Sequence, residues 1–161
     1  MASILILGAL LPLAAALVAQ FGFGLHPCHF CLLQRYPYLV ALLMGGLSLV
    51  LPRGTLLWRG AVAFGLYAFL GTALLGMVHS GIEQGWLHYT GGCVAETTAG
   101  DSLAALRAAI ASAPVVPCNE IAATILGLSM AVWNVIWALL MLGLGIAQAR
   151  FDGRRYDAQQ H

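Results

Sequence analysis

The chain has 161 residues, of which 61% are hydrophobic and only 8% charged. Soluble domains run nearer 45–50% apolar and about 25% charged, so a water-soluble globule of this size is excluded, and lipid has to be the solvent. All seven cations are arginine and the net charge is +1, which excludes the clustered basic face of a nucleic-acid-binding protein.

In chain order, four apolar stretches approach the ~20 residues needed to cross a hydrocarbon core. The first covers 2–23 and carries no acidic or basic side chain. It lacks a basic leading region and is long for a secretory leader, so it is read as a span. The second covers 31–51, where Pro52, Arg53 and Gly54 stop it. The third covers 60–78 and shows small residues at helical spacing: Ala61, Gly65, Ala68, Thr72 and Gly76. Such a stripe lets another helix approach closely. The fourth covers 121–147 and is longer than a span requires. The expected fold is an all-α integral membrane protein of one domain, a four-transmembrane-helix bundle with its larger loop between helices 3 and 4.

Arginine placement sets the expected orientation. The 52–59 turn holds Arg53 and Arg59, and the 148–161 tail holds Arg150, Arg154 and Arg155. The loops at 24–30 and 79–120 hold only Arg107, with Arg35 just inside the second span. By the positive-inside rule the turn and both termini are cytoplasmic. All four cysteines then fall in the two outer loops or at their edges, on the side where disulfides persist. In the larger loop, Asp101 or Ser102 is a candidate cap for a short helix with Leu103, Leu106 and Ile110 on one face. Such a segment would lie on the membrane surface.

Cys28 and Cys31 form a C-x-x-C pair. A disulfide closing so short a loop restricts the unfolded chain little, whereas short dithiol loops suit reversible exchange. Zinc held by Cys28, Cys31 and His26 or His29 would lack the second ligand pair usual in structural sites. Covalent haem attachment needs His after the second Cys, and Leu32 stands there. No metal is therefore expected. Cys93 and Cys118 are open to a structural reading as well as a redox one, and four cysteines allow three pairings. Arg35 follows Cys31 by four residues and shares its face on a helix. A guanidinium there favours the thiolate, and a charge at the rim of a span is usually functional.

The Cys28-His29-Phe30-Cys31-Leu32-Leu33-Gln34-Arg35 segment, the four spans and the second outer cysteine pair resemble the DsbB family. Further likeness lies in His79-Ser80-Gly81-Ile82-Glu83-Gln84-Gly85, and in Cys118 followed by Gly127-Leu128, Met130 and Trp133. The resemblance implies a bacterial inner-membrane thiol oxidase that reoxidises a periplasmic DsbA-type thioredoxin-like partner and passes electrons to ubiquinone or menaquinone. It implies that Cys93 takes the mixed disulfide with that partner, that Cys118 exchanges with Cys28, and that Cys31 meets the quinone beside Arg35. Gln34, His79 and Met130 are implied to border the quinone. Two other classes stand beside this one: a non-catalytic membrane protein with two structural disulfides, and a metal- or haem-binding membrane protein.

Overall fold

The computed structural model describes residues 1–89 and 117–158, the side chains of 153–158 excepted. Helix α1 is Ala2–Leu17 and continues through a π-helical turn at Val18–Gly22; α2 is His29–Leu33, α3 Arg35–Val50, α4 Leu56–Glu83 and α5 Met130–Ala158. A two-stranded hairpin, β1 (Thr124–Ile125) and β2 (Leu128–Ser129), precedes α5. Among the described residues, four helical stretches are long and apolar enough to cross a membrane, with α2 and α3 counting as one. The protein is thus the helical, four-span type that its composition requires.

The helices close into a ring: α1 packs on α3, α3 on α4, α4 on α5, and α5 returns to α1. Their outer faces carry exposed leucine, valine and phenylalanine, among them Leu43, Val50, Leu57 and Phe64. That is the surface a lipid environment solvates. Inside lie Leu5, Ala9, Tyr38, Ala41, Phe69 and Met141. The small-residue stripe on α4 does its packing work at Gly76, where a Cβ would stand 2.7 Å from Val135 Cγ2 and 3.1 Å from Asn134 Nδ2. Of the stripe, Ala68 alone is only partly buried.

Helix-to-helix attraction in lipid draws on packing and hydrogen bonds, because apolar burial gains little there. The hydrogen bonds are present in the interior. Tyr38 donates its hydroxyl to Asn134 Oδ1 at 2.7 Å. Asn134 Nδ2 donates to Thr72 Oγ1 at 3.3 Å and to the Thr72 carbonyl at 3.4 Å. Thr72 donates onward to the Gln34 carbonyl at 3.2 Å. This network joins α3, α4 and α5 just beneath the C-x-x-C pair.

Of the helix limits that differ from those expected, two shape the site. Helix α4 does not stop at 78 but runs to Glu83, where Gly85 (φ +74°) ends it. Trp86 N–H bonds the Gly81 carbonyl and Gly85 N–H bonds that of Ile82, the pairing of a Schellman cap. Five further helical residues place His79 and Glu83 one turn apart on one face. The last helix begins at Met130, not at 121, because the chain first reverses through Leu126 (φ +53°) and Gly127 (φ +79°). Two consecutive left-handed residues are the backbone of a tight hairpin turn. Ser129 then caps α5 by accepting the Val132 N–H. The surface helix expected near 101–110 lies outside the described residues, as do Cys93 and Arg107.

Gly76→Ala is expected to lower the thermal midpoint in detergent, costing about 1–3 kcal/mol through overpacking. Gly71→Ala on the same helix meets nothing within 4 Å and should leave the midpoint unchanged. Scanning calorimetry on both variants measures the difference.

Candidate functional site

The site lies at one end of the ring, where the start of α2, the end of α4 and the start of α5 meet. Helix α2 begins at a thiol. Cys28 has extended backbone and is the N-cap, its Sγ accepting the Cys31 N–H at 3.4 Å. The backbone of His29 and Phe30 lies close enough to Cys118 to draw its thiol down against burial. The first N–H groups of a helix have no partner within it, and here the Cys28 sulfur takes that of Cys31.

Cys28 Sγ lies 3.1 Å from Cys31 Sγ and donates to it. Cys118 is buried against Cys28, with Phe30 and Ile82 completing the cluster. Three sulfurs are therefore contiguous in the order Cys118, Cys28, Cys31. The Cys28 thiol is pushed up to about 12, first by its hydrogen bond to Cys31 and then by burial, with His79 pulling the other way. Burial likewise pushes the Cys118 thiol up, against the backbone N–H of Phe30.

On the far side of Cys28 stands His79, its Nε2 3.4 Å from the sulfur. Phe30, between the two cysteines in sequence, stacks on the His79 ring at 5.7 Å between centroids. Glu83 Oε1 lies 3.7 Å from the same Nε2. Its Oε2 accepts the Ser129 hydroxyl at 2.5 Å. A carboxylate, an imidazole and a hydroxyl are thus buried together behind Cys28.

Cys31 faces the other way, onto a cavity of about 500 Å³ between α1, α3 and α5. Its wall is mostly apolar, from Leu13, Ala16, Met130, Trp133 and Trp137, with Gln34 and Arg35 as its polar positions beside Cys31. Arg35 Nη1 donates to Gln20 Oε1 at 2.8 Å, on the π-helical turn of α1. Gln34 Nε2 and Arg35 Nε are buried with no hydrogen-bond partner among the described residues. Two unpartnered donors in an apolar cavity next to a thiol fit a flat apolar ligand bearing carbonyl oxygens, which is the chemistry of a quinone.

The structure therefore brings together Cys28, Cys31 and Cys118 in one cluster, and Cys31, Gln34, Arg35 and Met130 around one cavity. His79 belongs to the opposite, Cys28 side. Glu83, Ser129 and Gln20 were given no role from sequence. The signal available for Glu83 was its spacing of four from His79, legible only if α4 extends past 78. For Gln20 it was a lone amide at the end of an apolar run.

Four spanning helices around a buried dithiol with a third thiol in contact define a membrane protein of disulfide chemistry. The chain matches, over residues 1–148, the family described as "Disulfide bond formation protein DsbB"; it belongs to that family. It is also 27% identical over 146 residues, covering 88% of this chain and 83% of the relative, to "Uncharacterized protein RP370" of Rickettsia prowazekii (strain Madrid E). No solved structure matches the chain.

Below its pKa a thiol's reactive fraction rises tenfold per pH unit. In the fully reduced protein, Cys28 alkylation should climb from about pH 7 to about pH 10 without a plateau. Cys31→Ala removes the contact that raises Cys28 most, so the plateau should move to lower pH. Mass spectrometry of the Cys28 peptide after timed alkylation reads both profiles.

Proposed function

We propose that the protein is the inner-membrane oxidase that reoxidises a periplasmic DsbA-type dithiol protein and delivers the electrons to ubiquinone or menaquinone. The observation that carries this reading is the row of sulfurs, Cys118 to Cys28 to Cys31, ending on an apolar cavity. A strongly oxidising partner near −120 mV can be reoxidised only by an acceptor stronger than ordinary thiols, and a quinone bound in the cavity supplies that two-electron sink.

The reduced partner attacks a Cys93–Cys118 disulfide and is held at Cys93, in the loop a soluble protein can reach. The Cys118 thiolate so released attacks Cys28. A Cys28–Cys118 bond forms, the Cys28–Cys31 bond breaks, and Cys31 leaves as a thiolate at the cavity. The second partner thiol then resolves the mixed disulfide, so the partner loses two electrons and two protons. Cys93 then attacks Cys118, which restores the Cys93–Cys118 bond and releases Cys28; Cys28 would close again on Cys31 as the pair's two electrons, with two protons, pass to the quinone.

The residues around the pair suit these steps. The start of α2 donates the Cys31 N–H to the Cys28 sulfur and sets the His29 and Phe30 backbone near Cys118, and such groups favour negative charge. His79 stands within hydrogen-bond reach of Cys28, the sulfur that must alternately leave and attack. Arg35, fixed by Gln20, sets a permanent cation beside Cys31 and the carbonyl end of the ligand. Gln34 and Met130 complete that wall. On this reading, supported by the arginines of the 52–59 turn and the tail, both termini are cytoplasmic and the cysteines periplasmic.

The test is turnover of purified protein with a reduced thioredoxin-like partner and a short-chain quinone, followed by quinone absorbance. Cys31→Ser should abolish quinone reduction. Arg35→Ala should slow it on the order of a hundredfold, the usual cost of removing one preorganised charge-stabilising group. Undiminished turnover in Cys31→Ser would sink the proposal.

A further inference from the structure

The fold brings a third ligand to the C-x-x-C pair from a distant part of the chain. His79 Nε2 is 3.4 Å from Cys28 Sγ, the two sulfurs are 3.1 Å apart, and all three atoms lie within 4.8 Å of one another. Tetrahedral zinc, with Zn–S ~2.3 Å and Zn–N ~2.0–2.1 Å, sets sulfurs ~3.8 Å apart and sulfur from nitrogen ~3.5 Å. The Cys28–His79 side already meets that triangle, and the other two meet it once the sulfurs part by less than about 1 Å and Cys31 Sγ stands ~3.5 Å from Nε2.

Charge and packing point the same way. Two thiolates and a neutral imidazole cancel a dication, which matters where water is scarce. The His79 ring is held in place by the stacked Phe30. The Glu83 carboxylate stands beside the ligating nitrogen, its other oxygen held by Ser129. Cys31 borders the cavity, which leaves the fourth position open, as zinc sites that take exogenous ligands do.

We propose that the reduced protein binds one zinc ion through Cys28 Sγ, Cys31 Sγ and His79 Nε2, with the fourth position facing the cavity. Binding displaces the two thiol protons and changes no oxidation state. The closed Cys28–Cys31 disulfide offers no thiolate, so the site exists only in the reduced protein. Zinc then locks the pair reduced and blocks its exchange with Cys118. The site stands independently of the oxidase reading, since zinc-free turnover does not depend on it.

The experiment titrates zinc chloride into the full-length protein in detergent, with Cys93 and Cys118 both replaced by serine. The protein is reduced with a phosphine and kept anaerobic. Affinity is read by competition with a chromogenic chelator, and bound metal by atomic emission after gel filtration. One equivalent is expected when reduced and none after diamide oxidation. His79→Ala should weaken binding at least tenfold, with helix content unchanged by circular dichroism. Equal affinity in His79→Ala, or equal zinc in the oxidised protein, would overturn the proposal. Should His79→Ala misfold, cobalt(II) in the parent protein decides. Strong tetrahedral bands with sulfur charge transfer support the site, and a weak octahedral spectrum refutes it.

Discussion

A chain dissolved in lipid has to satisfy its own backbone, because no water reaches the groups it leaves open. Most of this protein does so with uninterrupted helices, and its notable features lie where that ladder breaks. Pro12 inside α1 has no N–H for the Gly8 carbonyl, and Trp137 reaches across from α5 to donate its indole N–H there at 2.8 Å. Pro37 likewise leaves the Leu33 carbonyl without its partner, and the helix is interrupted at Gln34, between α2 and α3. The third break is the start of α2, where the Cys28 sulfur accepts the free Cys31 N–H.

These breaks converge on the cavity. Pro12, Trp137 and Gln34 all line it, together with Cys31. The interruption at Gln34 also separates two tasks along one membrane crossing. The short α2 presents thiols at the end of the bundle. Helix α3, from Arg35 onward, carries the packing face of Tyr38, Ala41, Gly45 and Ser48. The Tyr38–Asn134–Thr72–Gln34 network ties the joint to α4 and α5. The dithiol can then change its bonding while the helices below stay in register.

Much of this was legible in the sequence. Four apolar runs and arginine-bearing turns defined the architecture, since hydropathy reports the lipid constraint directly. Cys28, Cys31 and Arg35 could be grouped because one helical turn fixes their spacing. Cys118 could not be brought to Cys28 by spacing alone, as ninety residues of chain separate them. Resemblance suggested that exchange, and the backbone N–H groups of His29 and Phe30 give it a physical basis. Apolar composition also misjudged the last helix. Residues from Ile121 onward are hydrophobic enough to span, yet Leu126-Gly127 turns the chain back first. The roles of Glu83 and Asn134 were hidden because single polar residues acquire meaning only from partners on other helices.

The two cysteines of the pair end in different surroundings, and that difference gives the site a direction. Cys28 is packed among protein groups: Cys118, His79 and, behind them, Glu83 and Ser129. Every neighbour there is suited to exchanging sulfur bonds or holding a proton. Cys31 faces apolar wall with Gln34 and Arg35, each bearing an unpartnered donor. Nothing on that side offers another thiol among the described residues. A symmetric dithiol could pass a disulfide in either direction with equal ease, whereas the proposed relay exchanges through Cys28 and discharges through Cys31. The asymmetry comes from the neighbours, since the two sulfurs touch on one side of the first turn yet meet protein groups on one flank and the cavity on the other.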